Sequence, residues 1–150
     1  MRIYSLKELL SMQLCFLIFA SFILPEKTGT LSLQVEGLRN LRGQVLVTVY
    51  DQEKGFPTDP SAAVTSCRVV LANQADLRIE TELLPHGTYA VALLHDENAN
   101  GIMDTNLVGI PKEGYATSNN IRKLLSAPSF EEARFELDKN KKIIHLKMVY

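Results

Sequence analysis

The stretch GQVLVTVY, residues 43–50, is rich in β-branched side chains and predicts an extended strand. Residues 88–94, TYAVALL, follow the turn-forming sequence LPHG and predict a second strand, apolar enough to be central in a sheet. Further short segments have the composition or the alternation of strands: residues 31–35, 67–71, 77–83, 133–137 and 143–149. A turn separates the last two, which we expect to form a terminal hairpin.

This pattern predicts an all-β fold, since about seven short strands occur without a long amphipathic helix. The expected architecture is an antiparallel β-sandwich of immunoglobulin-like or transthyretin-like type. One long loop, at about residues 95–132, lacks a convincing strand or helix. Loops beyond about 12–15 residues in a compact domain are usually functional or disordered, and the apolar content of this one argues against disorder. We therefore look for function there.

Tyr89 follows the turn that precedes the second strand. This is the position of a tyrosine corner, in which the hydroxyl bonds back to the backbone just upstream. An ordinary interior aromatic residue explains Tyr89 equally well.

Composition limits the classes of function. The chain has 150 residues, of which 46% are hydrophobic and 22% charged, and its formal net charge is -1. This length and composition are typical of a single globular domain. No cluster of basic residues could neutralise several phosphates, so nucleic acid is not an expected partner.

The N-terminal segment has the pattern of an export signal. Arg2 and Lys7 precede an apolar run that ends before Pro25. We predict a signal peptide over residues 1–24, with an uncleaved anchor as the alternative, and a single β-sandwich domain over residues 30–150. The expected location is the periplasm or the outside of the cell, with membrane attachment only through an uncleaved segment. Cys67, the one remaining cysteine, is expected to be a small buried residue.

Within the long loop, oxygen-bearing side chains occur at Asp96, Asn98, Asn100 and Asp104, and Gly101 lies among them. This is the spacing of the first, third, fifth and ninth positions of a calcium loop, with glycine at the sixth position for the sharp bend. The spacing predicts a Ca²⁺ site, and we expect no other cofactor.

The Ile102 carbonyl would be a further Ca²⁺ ligand at the seventh position. The twelfth position is Leu107, so the bidentate glutamate of an EF-hand is missing, and Glu97 should point away. Few charged ligands imply a weak affinity, on the order of 10⁻⁴–10⁻³ M, as in extracellular modules. A metal-free hairpin turn at residues 100–101 is the alternative.

The rest of the loop combines aromatic, hydroxyl, amide and charged side chains on a glycine and proline frame. These are the groups of a recognition surface, and the expected partner is an envelope protein or a glycan. The alternative is a packed loop in which Tyr115 is buried. The candidate ligand surface comprises His95, Glu97, Lys112, Glu113, Tyr115, Ser118 and Asn119.

Catalysis is a weaker hypothesis. His95 and Glu97 could serve a small envelope hydrolase or lyase, because a histidine beside carboxylates can transfer protons. However, no nucleophile elbow, zinc-protease motif or phosphate-binding glycine loop is present. We predict a non-catalytic binding or structural module, with no catalytic residues, and keep a metal-free structural module as a further alternative.

Several segments together resemble a known bacterial family, the domain of unknown function 2141. They are residues 35–40, 43–51, 87–91, 95–106 and 109–115. The resemblance spans nearly the whole chain after the N-terminal segment. It implies a bacterial origin, export to the cell envelope and a β-rich domain, and it implies no particular activity.

Overall fold

The computed structural model of the protein describes residues 26–71, 77–123 and 126–150. The predicted signal segment, residues 1–24, lies outside them. Nine strands occur in the described part of the chain: β1 Thr28–Glu36, β2 Gln44–Tyr50, β3 Thr65–Val70, β4 Leu77–Glu80, β5 Leu84–Pro85, β6 Gly87–Asp96, β7 Gly114–Thr117, β8 Phe135–Leu137 and β9 Lys141–Lys147. The described helices are short: two 3₁₀ turns, Pro60–Ala62 and Ser118–Asn120, and one α-helical turn, Phe130–Ala133. None of these helices is long or apolar enough to cross a membrane.

The strands form two sheets. In the first, β1 pairs with β4 and β5 in antiparallel fashion and with β9 in parallel. In the second, the order is β3-β2-β6-β7, and β8 also pairs with β6. All pairings except that of β1 with β9 are antiparallel. The predicted all-β, sandwich-like fold is therefore confirmed, while its immunoglobulin or transthyretin type stays a prediction.

The core lies between the two sheets because each long strand buries alternate side chains. From β1 these are Leu31, Leu33 and Val35, and from β2 they are Val45, Val47 and Val49. Strands β6 and β9 add Val91, Leu93, Ile144 and Leu146 to the same cluster. The opposite face of β2 and β6 carries residues such as Thr48 and Ala92, and it points away from the core.

Two expectations about connectivity were wrong. The predicted terminal hairpin does not form, since β8 pairs with β6 and β9 pairs with β1 in the other sheet. Alternation identifies a strand but not its partner, and β9 buries its apolar face by lying along β1. The long loop at residues 95–132 is also interrupted by β7. This strand has four residues, too few to show an alternation of apolar and polar side chains in the sequence. It forms because the edge of β6, from Ala92 to His95, is available for pairing.

The predictions for two single side chains, Tyr89 and Cys67, had different outcomes. The Tyr89 hydroxyl donates to the Pro85 carbonyl at 2.9 Å, so the tyrosine-corner interpretation is confirmed. Cys67 is exposed rather than buried, because β3 lies at the edge of its sheet.

Candidate functional site

Asp96, the last residue of β6, is fully buried and anchors the predicted calcium loop. Its carboxylate accepts hydrogen bonds from Gln44 Nε2 at 2.7 Å and from the backbone N–H groups of Asn100 and Gly101 at 3.1 and 2.7 Å. Burial raises the pKa of Asp96, but the hydrogen bonds from Gln44 and from loop N–H groups outweigh it and bring the pKa below its ordinary value. The carboxylate is therefore ionised at neutral pH.

The loop backbone curls around this carboxylate. Ala99 and Gly101 have left-handed φ values of 60° and 84°. Asn98 Oδ1 accepts the N–H of Asn100 at 3.1 Å, and Asn100 Oδ1 accepts the N–H of Ile102 at 2.9 Å. Such turns are common at asparagine because its short amide reaches the backbone two residues on. The turns at Asn98 and Asn100 thus follow from the local sequence.

Asp104 closes the cluster. Its carboxylate accepts the side-chain amides of Asn98 at 2.7 Å and of Asn100 at 3.3 Å. The four side chains that the sequence analysis proposed as ligands, Asp96, Asn98, Asn100 and Asp104, are therefore gathered in one loop. The Ile102 side chain points outward, with 64% of its surface exposed.

Glu113 braces the loop from the other side. It is 4% exposed, and its two carboxylate oxygens accept the backbone N–H groups of Glu97 at 2.9 Å and Asp104 at 3.0 Å. The Glu113 side chain therefore joins the beginning and the end of the predicted calcium loop, residues 96–104, which we call the ion loop. This position differs from the open ligand surface on which the sequence analysis placed Glu113.

The charges of this cluster are not balanced by cations. Asp96, Asp104 and Glu113 form no ion pair with a lysine, arginine or histidine in the described ranges. A cation bound in the loop would therefore have no ion-paired lysine, arginine or histidine, among the residues described, to displace from these three carboxylates.

Glu97 provides the contrast within the same loop. Arg39 Nε donates to it at 2.6 Å, Asn40 Nδ2 at 2.9 Å and an Arg42 guanidinium N–H at 2.9 Å. Burial raises the pKa of Glu97, but the hydrogen bonds from these three donors lower it by more. The pKa therefore lies below its ordinary value. As predicted from its position, Glu97 faces away from the candidate ligands, and its charge is satisfied by two arginines.

The donor chemistry of the loop fits calcium. Carboxylate and amide oxygens are hard ligands, which Ca²⁺ prefers, and a Cys or His set would suit zinc instead. No group of three or more His, Cys, Asp or Glu side chains that could hold a metal occurs among the described residues. The oxygen set has two carboxylates and two amides, so any site here is one of low ligand charge.

His95 is buried next to the loop and is not free to transfer protons. Its Nε2 lies 3.0 Å from the Arg42 carbonyl, which can only accept, so Nε2 carries the proton in neutral His95. Its Nδ1 lies 2.6 Å from the Tyr150 hydroxyl, which in turn accepts the N–H of Arg39 at 3.1 Å. Both ring nitrogens are therefore occupied, and His95 has no exposed surface.

The remaining candidates of the ligand surface do not lie together. Ser118 is buried and bonds the backbone of Val91 and Ala133, and Asn119 donates to the carbonyls of Glu132 and Arg134. These two side chains attach the segment after β7 to the helical turn. Lys112 is exposed and Tyr115 is partly exposed.

The sequence analysis missed Gln44 and Tyr150, which hold Asp96 and His95. Each lies more than 50 residues from its partner, and no local spacing indicates such a contact. A polar residue at the start of an otherwise apolar strand, as Gln44 is in β2, is the one available signal.

Comparison with known proteins gives the family and no more. No curated protein and no solved structure matches the chain. A family model described as "Uncharacterized protein conserved in bacteria (DUF2141)" matches residues 33–145, from within β1 to within β9. The match includes the whole ion loop and Glu113. The chain therefore belongs to the DUF2141 family of uncharacterised bacterial proteins.

Proposed function

We propose that this protein is an exported, non-catalytic β-sandwich module of the bacterial cell envelope that binds Ca²⁺ through one loop. The ligands are Asp96, Asn98, Asn100, the Ile102 carbonyl and Asp104. One observation carries the proposal: four oxygen-bearing side chains gather in a preformed loop whose carboxylates have no cationic partner among the described residues. The basic and apolar N-terminal sequence supports export.

The affinity of the site is set by its ligand charge. A calcium ion takes about six to eight oxygens, and this loop offers two carboxylates, two amides and a carbonyl, with water for the rest. Ca²⁺ would replace the amide N–H donors of Asn98 and Asn100 as the positive partner of Asp104. A Kd on the order of 10⁻⁴–10⁻³ M suits a protein outside the cytosol.

The role of the ion is to fix the loop. Asn98, Asn100 and Ile102 are exposed, so this segment has few buried contacts of its own. Once held at Asp96 and Asp104, it presents a stable surface to an envelope protein or a glycan.

A metal-free structural module is the second candidate, and one observation favours it. The side-chain oxygens of Asp96, Asn98, Asn100 and Asp104 already accept hydrogen bonds within the protein. The hydrolase or lyase alternative has less support, because His95 is buried with both nitrogens occupied and Glu97 is held by two arginines.

Calorimetric titration of the chelator-treated protein with CaCl₂ tests the proposal. We expect heat of binding at submillimolar to millimolar Ca²⁺, a higher melting temperature, and a much smaller response to Mg²⁺. Asp104→Asn removes a ligand charge and should abolish both effects. Asp138→Asn is the matched control, because Asp138 is an exposed aspartate in a different turn.

If the wild-type protein shows neither heat nor a thermal shift at millimolar Ca²⁺, the metal-free module replaces the proposal. Equal responses of the Asp104→Asn and Asp138→Asn variants would place any calcium site elsewhere.

A further inference from the structure

The outer face of the second sheet has a floor of small side chains. Thr48 of β2 lies opposite Ala92 of β6, which lies opposite Thr117 of β7. Their larger neighbours in the next row are Leu46, Leu94 and Tyr115. Small residues beside a row of larger ones leave a depression in this face of the sheet.

Loops surround this depression and turn it into a cavity of about 630 Å³. The ion loop and the segment after it form one wall, with Ile102 and Met103 from the loop and Val108 and Ile110 from the segment. Prolines such as Pro57 and Pro128 line another part. Binding sites for small molecules typically have volumes of about 300–1,000 Å³ and mainly apolar walls. Both the size and the lining of this cavity agree with such a site.

One polar group in the cavity lacks a partner. Thr117 is 3% exposed and lines the cavity, and its Oγ1 makes no hydrogen bond with the described part of the chain. The neighbouring Thr48 hydroxyl donates to the Ala92 carbonyl at 3.2 Å. Buried hydroxyls are nearly always bonded, so the Thr117 hydroxyl is available to a polar group that enters the cavity.

The charge of the lining limits the ligand further. Lys123 is the one charged residue among the described residues that line the cavity, and its Nζ lies 2.7 Å from Glu132 Oε2. The described lining therefore offers no free charge to compensate an ionised ligand. An ion without a partner is costly to remove from water, so a neutral molecule fits best.

The mouth of the cavity is unusually apolar. Val108 is 78% exposed and Ile110 is 57% exposed, and both also line the cavity. An apolar ligand would cover part of this surface and remove it from water, which favours binding.

We propose that this cavity binds an uncharged, largely aliphatic small molecule whose single hydroxyl or carbonyl group bonds to Thr117 Oγ1. The proposal goes beyond calcium binding, because the bonding group Thr117 and the floor residues Thr48 and Ala92 belong to the sheet and not to the ion loop.

Fluorescence titration with N-phenylnaphthylamine, an uncharged apolar probe, tests the cavity. We expect saturable binding and displacement of the probe by decanol. Decanoate has the same chain with a charged end, and it should need at least about tenfold higher concentration. Absence of saturable probe binding, or equal displacement by decanoate, would overturn the proposal.

Two variants test the position. Thr117→Val keeps the shape of the side chain and removes the hydroxyl. It should therefore weaken the binding of decanol roughly three- to tenfold and leave the affinity for the probe unchanged. Thr30→Val in β1 is the matched control. Ala92→Leu fills the floor and should abolish probe binding in a variant that still melts cooperatively. Unchanged decanol affinity in Thr117→Val would refute the assignment, whether or not the Ala92→Leu variant folds.

Discussion

Gln44 and Asp96 are both buried and lie opposite each other in the β2–β6 pair, where Gln44 Nε2 donates to Asp96 Oδ2 at 2.7 Å. Gln44→Leu removes this donor and leaves a carboxylate oxygen less well satisfied. The free energy of unfolding should fall by about 1–3 kcal/mol. Urea denaturation measures it, with Gln34→Leu on β1 as the control for an exchanged glutamine. Equal losses in both variants would show that the bond to Asp96 contributes nothing specific.

Acid should destabilise the protein through Asp96 and Glu97. Hydrogen bonds lower the pKa of both carboxyls in the folded state, despite the opposing effect of burial. Groups with a lowered pKa stabilise the fold above the unfolded pKa values of about 4, and the contribution is lost as the pH falls through the folded values. Unfolding free energy should therefore be level near neutral pH and decline below about pH 4. Asp96→Asn should flatten that decline, and a parallel curve would contradict the role of Asp96.

Gly43 combines a left-handed backbone conformation with a close approach to the backbone of β6. Its φ is +70°, and an added Cβ would lie 2.0 Å from the carbonyl oxygen of Asp96. Gly109 has a φ of +81° but open space around it. Gly109→Ala should therefore cost only the left-handed strain, about 1–2 kcal/mol, and Gly43→Ala clearly more, because backbone must also move. Thermal melts of the two variants give the comparison, and similar melting temperatures would refute it.

Tyr150 should fix the tautomer of His95. Tyr150→Phe leaves the buried Nδ1 of His95 without a donor and should cost about 1–3 kcal/mol of stability. Nitrogen NMR of the His95 ring, which reports the protonated nitrogen, should show Nε2–H in the wild type and a changed Nδ1 shift in the variant. Tyr115→Phe is the control, and the same spectrum in all three proteins would disprove the contact.

Sequence patterns were sufficient where the relevant contacts are local. The alternation of residues 31–35 and 77–83 marked strands, since one face of each packs on the core, although the second strand ends at Glu80. Likewise, the Asp and Asn spacing between Asp96 and Asp104 reflects turns that span only a few residues. Such features need no knowledge of the rest of the fold.

The features that were missed depend on distant partners. Strand pairing of β9 with β1 and the bond from Gln44 to Asp96 both join segments far apart in sequence. Asn119 and Ser118 have side chains typical of ligand-binding residues, but both donate hydrogen bonds to backbone carbonyls of the helical turn instead. Polar side chains in a loop therefore indicate that hydrogen bonds form, but not which groups they join.

The parallel ladder between β1 and β9 has a consequence for how the molecule acquires its structure. Residues 30–36 can form this ladder only after residues 141–147 are present, so one edge of β1 stays unpaired until then. Contacts of such wide separation slow folding, because a large loop has to close before they form. A polypeptide that still lacks residues 141–147 therefore cannot complete the first sheet, whichever of the other strands have already paired.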